Sequence, residues 1–165
     1  MSPNIILSHQ EINHKLNRIA HQIYEANVNE EQVVLAGIDK NGFILGELLK
    51  EKLKEISELD VILCKVIIDK LNPLAGVKTS LDAQSYENKS IVLIDDVLNS
   101  GATLIYGVKH FLSVPLKRFK TVVLVNRNHK KYPVKADFKG ISLSTSLNEH
   151  VTVSLNKNNY EVTLS

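Results

Sequence analysis

The chain has 165 residues, 44% apolar and 23% charged, with a formal net charge of +2 at neutral pH. Such a composition is ordinary for a globular protein with a substantial core, and so small a charge does not by itself argue for nucleic acid or a membrane surface. The single cysteine, Cys64, excludes an internal disulfide and a cysteine-rich zinc site. No window approaches about 18 apolar residues and the N-terminus carries no signal-peptide pattern, so a cytoplasmic setting without a membrane partner is expected. The histidines include no HExxH pair. The only arginines are Arg18, Arg118 and Arg127, so the basic surface is mostly lysine, which lacks the bidentate fork that grips phosphate.

Ser-His-Gln-Glu at 8–11 has the spacing of a capping box. Ile12, Leu16, Ile19, Ala20 and Ile23 then recur at helical spacing and predict an amphipathic helix over 9–27. The apolar run QVVLAGI (32–38) predicts a strand buried on both faces, and Ile44, Leu45, Leu48, Leu49 and Leu53 predict a helix over 42–56. DVILCKVII (60–68) is the next strand. Residues 69–90 lack clear periodicity and carry Pro73, Gly76, Ser80, Ser85 and Asn88, the pattern of a long irregular segment used as a lid. A strand over 91–95, a helix over 101–113 stopped by Pro115, and a strand over 120–126 follow. The tail alternates through Val151, Val153 and Leu155, turns at NKNN, and alternates back through Tyr160, Val162 and Leu164, a hairpin pattern. Together these elements predict an α/β fold in a single domain over 1–165. Its mainly parallel sheet has helices on both faces, and the antiparallel C-terminal hairpin extends or caps it.

The chemistry concentrates in IVLIDDVLNSGATL (91–104). An apolar strand runs into Asp95 and Asp96, and Asn99-Ser100-Gly101-Ala102-Thr103 leads into a helix. In open α/β sheets ligands bind beyond the carboxyl ends of the strands. Free amides at a helix start, with the Ser100 and Thr103 hydroxyls, make a seat for phosphate, and Gly101 allows close backbone approach. Two carboxylates accept hydrogen bonds from a vicinal diol or from water on Mg²⁺. A sugar phosphate satisfies both halves. The competing reading is a solvated Asp-Asp turn that matches a helix dipole.

VLIDDVLNSGAT resembles the phosphoribosyl-pyrophosphate (PRPP) signature of type I phosphoribosyltransferases. A Walker B strand also ends in acids, but Phe43-Ile44 stands where the P-loop that goes with it requires Lys-Ser/Thr. LNRIAHQIYEAN (16–27), VLAGIDKNG (34–42), VLVNRNHKKYPVKADFKG (123–140) and STSLNEHVTVSL (144–155), in that order around the signature, resemble the PyrR group. These are uracil phosphoribosyltransferases that double as RNA-binding regulators of pyrimidine operons.

The resemblance implies the type I phosphoribosyltransferase fold, transfer of phosphoribose from PRPP to a nucleobase with release of pyrophosphate, Mg²⁺ as cofactor, and a homo-oligomer. Asp95 and Asp96 would hold the ribose hydroxyls, with Mg²⁺ near them through PRPP and water, and Asn99 to Thr103 the 5′-phosphate. Asp39-Lys40-Asn41-Gly42 would be the pyrophosphate loop, a turn that in the family often contains a strained or cis peptide. Asn126, Arg127, Asp137 and Phe138 would frame the base, within a frame that extends over 136–140. Lys65, Lys70 and Lys78 are candidates for a contact from the flexible loop.

Departures from the pattern bear on specificity. LCKVII stands where PyrR proteins carry Tyr-Arg-Asp-Asp, leaving Lys65 alone to keep a charge. Asn126 replaces an Asp, and Asn99 stands where 6-oxopurine enzymes place a proton-handling acid. The resemblance makes a pyrimidine such as uracil the favoured acceptor; the 60–68 departures keep a PRPP-sensing RNA-binding regulator as the alternative, and Asn99 leaves a purine transferase as the weaker one. For the regulator, Arg18 and His21 on the first helix and the clusters Lys117-Arg118-Lys120 and His129-Lys130-Lys131 are the RNA-facing candidates, although such charge runs are usually solvated faces.

Overall fold

The structure is a computed structural model and describes residues 3–165. Asn4–Leu7 (β1) leads through Ser8 into helix α1, His9–Ala26. The capping box forms: Glu11 N–H donates to Ser8 Oγ at 3.3 Å, and Ser8 N–H donates to Glu11 Oε1 at 3.2 Å. Gln32–Ile38 (β2), Asn41–Ile56 (α2) and Asp60–Ile68 (β3) follow, the two strands on their predicted bounds. Both are apolar runs flanked by polar residues, and they pair in parallel from Gln32↔Asp60 to Ile38↔Val66.

Residues 69–90 are more ordered than their composition suggests. A 3-10 turn at Pro73–Ala75 precedes Val77–Thr79 (β4), which pairs antiparallel with the end of β3, and Ala83–Tyr86 (α3) buries Tyr86 against the ring of Phe111. Ser90–Leu98 (β5) runs three residues beyond the predicted end, because Val97 and Leu98 continue the parallel ladder with Val125 and Asn126. Asp95 and Asp96 therefore lie inside the strand. Ala102–Phe111 (α4), Arg118–Arg127 (β6), Phe138–Leu143 (β7), Val151–Asn156 (β8) and Asn159–Leu164 (β9) complete the chain.

The central sheet has the order β4-β3-β2-β5-β6-β7, parallel except at β4. α1 and α2 bury Ile12, Leu16, Ile19, Leu45, Leu49 and Leu53 on one face, while α4 and α3 bury Leu104, Phe111 and Tyr86 on the other. Each such side chain contributes about 1.5–3 kcal/mol of transfer free energy. The tail hairpin does not extend this sheet. It joins β1 in a separate antiparallel sheet, β1-β9-β8, whose Val153 and Val162 complete the α1–α2 core. His9 holds it in place by accepting from Tyr160 N–H at Nδ1, 2.9 Å away.

Candidate active site

The chain steps from β2 outward to β3 and then returns to the other side of β2 at β5. The carboxyl ends of β2 and β5 are thus a topological switch point, where the connections diverge and leave a crevice. A cavity of about 260 Å³ opens there, lined by Lys70, Asp95, Asp96 and the run from Val97 to Leu104. The β2–α2 turn packs against the same end of β5. Its Gly42 is required by contact, since a Cβ there would collide with the carbonyl of Ile94. The Asp39–Lys40 peptide in this turn is cis. Gly101 caps α4 at φ +89°, a conformation that disfavours residues with a Cβ. The first turn of α4 presents backbone N–H groups toward the cavity end, and one of them, on Ala102, donates to Ser100 Oγ at 3.2 Å.

Asp95 is 2% exposed, so of the two acids it is the one withdrawn from water. Burial first, and then the neighbouring Asp96 charge, push its carboxyl up to about 7. Lys70 opposes that shift. Its Nζ lies 3.3 Å from Asp95 Oδ1 and 3.7 Å from Asp96 Oδ1, with the lysine side chain 47% exposed. Burial alone would lower the Lys70 pKa, but the two carboxylates outweigh it and hold it above its ordinary value. Of the three loop lysines, only Lys70 reaches the cavity. Lys65 points over the Phe43 ring at 4.9 Å, and Lys78 is exposed on edge strand β4.

Asp96 is oriented from two sides. It accepts Val97 N–H at 2.8 Å through Oδ1, and Asn41 Nδ2 at 2.9 Å through Oδ2. The same Asn41 nitrogen donates to the carbonyl of Val153 on β8 at 2.9 Å, tying the small sheet to the turn and the acid. Asp39, Lys40 and Gly42 belong to this turn, beside the acids and outside the cavity lining proper.

The residues expected to frame a base are dispersed. Asp137 accepts Thr121 N–H at 2.9 Å, and Phe138 packs into the α1–α2 core, both well back from the strand ends. Asn126 donates to Ser142 Oγ at 3.3 Å, and its buried Oδ1 has no partner among the described residues. Arg127 is 8% exposed and turns inward to Asn99 and the loop between β7 and β8. Arg18 is likewise engaged, donating to the carbonyls of Lys139 at 2.6 Å and Gly140 at 3.0 Å. Sequence reasoning missed the Asn41 bridge and the inward turn of Arg127. Both depend on partners far along the chain, which no local pattern announces.

Comparison with known proteins agrees with this geometry. The family profile of the phosphoribosyl transferase domain matches residues 3–157. The bifunctional protein PyrR of Haemophilus ducreyi is 32% identical over 157 residues, covering 90% of this chain and 88% of its own. That of Streptomyces coelicolor is 34% identical over 158 residues, covering 91% and 82%. Among solved structures, the hypoxanthine phosphoribosyltransferase of Trypanosoma cruzi superposes with a TM-score of 0.79 at 18% identity, covering 99% of this chain and 96% of its own. A hypoxanthine-guanine phosphoribosyltransferase of Bacillus anthracis gives 0.75 at 17%, covering 98% and 96%. These last two establish the fold alone. No helix among the described residues is long and apolar enough to cross a membrane. From the profile match, and from PyrR relatives that align along most of its length, the chain belongs to the phosphoribosyl transferase family and is a phosphoribosyltransferase similar to the PyrR proteins.

Proposed function

We propose that the cavity binds PRPP and transfers its phosphoribosyl group to a pyrimidine base, uracil first. The observation that carries this reading is the meeting, in one cavity, of two adjacent carboxylates with the start of a helix. Asp96 and Asp95 accept the ribose hydroxyls, and Asn99 to Thr103 take the 5′-phosphate. The turn at 39–42 lies where pyrophosphate departs. In the reaction the bond from the anomeric carbon to pyrophosphate breaks, a bond to a ring nitrogen of the base forms, and the proton of that nitrogen passes to the departing pyrophosphate. The protein's task is to hold the partners in line and keep water out.

Magnesium fits this site in one way only. Among the described residues no group of three metal-ligating side chains exists, so no all-protein cage is available. Two adjacent carboxylates suit a hydrated cation held through water and ligand oxygens, in the place where the Lys70 ammonium now pairs with them. Bound with PRPP, Mg²⁺ would neutralise the departing pyrophosphate.

The test is a panel of nucleobases with PRPP and Mg²⁺, following pyrophosphate release. Turnover with uracil and none with hypoxanthine is expected; turnover with hypoxanthine alone would overturn the pyrimidine assignment. A second reading has PRPP or a nucleotide sensed without turnover. It is favoured by Lys65, whose charge points to Phe43 and leaves β3 with no catalytic contact to the cavity. PRPP binding without turnover on any base would select it. For the RNA-binding version, a gel shift that weakens with salt is expected, and no shift would end it.

A further inference from the structure

We propose, resting on the phosphoribosyl reading above, that Arg127 is a positioning residue that turns Asn99 into a fixed hydrogen-bond donor for an oxygen of the bound ligand. A guanidinium carries donors and no acceptor. Arg127 Nη1 lies 3.0 Å from Asn99 Oδ1, so chemistry itself decides which end of the carboxamide faces the arginine. Arg127 cannot easily turn away. Nε donates to Thr145 Oγ1 at 3.0 Å, and Nη2 donates to the carbonyls of Ser146 at 3.2 Å and Glu149 at 2.7 Å. Nearly all of its donor capacity is spent on holding one pose.

Asn99 lines the cavity, and with Oδ1 engaged it offers that space Nδ2, which has no protein acceptor among the described residues. Two consequences follow for recognition. An N–H donor selects an oxygen acceptor, either a carbonyl of the base or an oxygen of the 5′-phosphate. It also cannot accept the proton that the ring nitrogen sheds, so proton removal does not occur at this position. Arg127 thereby acts on the substrate through Asn99, from a buried place where it touches no ligand itself.

Calorimetric titration with PRPP and with uridine 5′-monophosphate tests this. Asn99→Ala removes the donor, and an affinity loss of about tenfold is expected. A loss on the monophosphate alone assigns the contact to the base carbonyl. An equal loss on both ligands assigns it to the 5′-phosphate, which they share. A loss on PRPP alone, or less than about twofold on both, overturns the proposal. Asn99→Asp keeps Arg127 paired and the fold intact while removing the donor, so it must reproduce the loss; wild-type affinity in this variant would also overturn it. Arg127→Lys should weaken the same ligand, and the double variant with Asn99→Ala should lose no more than either single one. Additive losses would mean that Arg127 acts through the fold alone. Failure of wild-type protein to bind PRPP is a different result, and it overturns the phosphoribosyl reading itself.

Discussion

At each end of the central sheet one charge stands between two of opposite sign, and the two trios behave differently. At the amino end, Glu30 accepts from Lys117 Nζ at 2.9 Å and from Arg118 Nη1 at 3.5 Å, and both cations keep much of their surface in water. The Lys117 hydrogen bond, aided by the two positive charges, holds Glu30 below its ordinary pKa. At the carboxyl end the signs are exchanged and one acid, Asp95, is taken out of solvent. Lys70 stands between Asp95 and Asp96, and the buried Asp95 is pushed up to about 7. Similar spacings thus give a surface fastening at one end and an acid held well above its ordinary pKa at the other. The burial of Asp95 and the like charge of Asp96 beside it make the difference, and they mark the carboxyl end as the place where a ligand diol or cation has something to gain.

The contrast can be broken by substitution. The largest effect is expected from Asp96→Asn, which should weaken PRPP binding by about a hundredfold if the carboxylate accepts from the ribose as proposed; calorimetry at wild-type affinity would refute the ribose assignment. Asp95→Asn acts next, on stability. The folded pKa of Asp95 lies above the unfolded value of 3.8, so its contribution is fully present below 3.8 and is lost as pH rises through about 7. The variant should match wild type near pH 4 and melt several degrees higher at pH 8, in thermal scans without ligand. Equal melting at both pH values would show that the buried acid carries no such cost.

Lys70→Met removes the opposing charge and should lower the midpoint by a few degrees at pH 8 and less at pH 5, because half-exposed lysine is partly screened. Loss independent of pH would mean that Lys70 only packs its segment. The smallest effect is expected from Glu30→Gln, about 2 °C or less and vanishing in about 1 M salt. A larger, salt-resistant loss there would erase the distinction between the two ends.

How much of this was legible beforehand depended on how local each cause is. β2 and β3 are continuous apolar runs with sharp polar boundaries, and their ends were readable to the residue. The PRPP-like stretch located the cavity, because the residues from Asp95 to Thr103 reach it from one strand and one turn. β1, β4 and β7 are short or edge elements defined by their partners, so no periodicity betrayed them. β5 outran its predicted end because two like charges looked like a stop. The ladder to β6 carries the backbone past them, and Lys70, 25 residues away, supplies the balancing charge. Asp137 and Phe138 were assigned to the base through the resemblance alone. Their register beside Thr121 and Val122 sets them too early along the sheet.

The hold of Arg18 on the carbonyls of Lys139 and Gly140 has a consequence for the fate of the molecule in a crowded solution. β7 is the last strand of its sheet, and an uncovered last strand is a template on which another chain can add itself. Consecutive carbonyls of a strand point to opposite sides, so of the two that accept from Arg18 at most one belongs to the open edge, and there the guanidinium occupies an acceptor and sets a positive charge. Arg18 therefore leaves fewer free acceptors for another chain to use, and its charge is committed to the protein's own backbone.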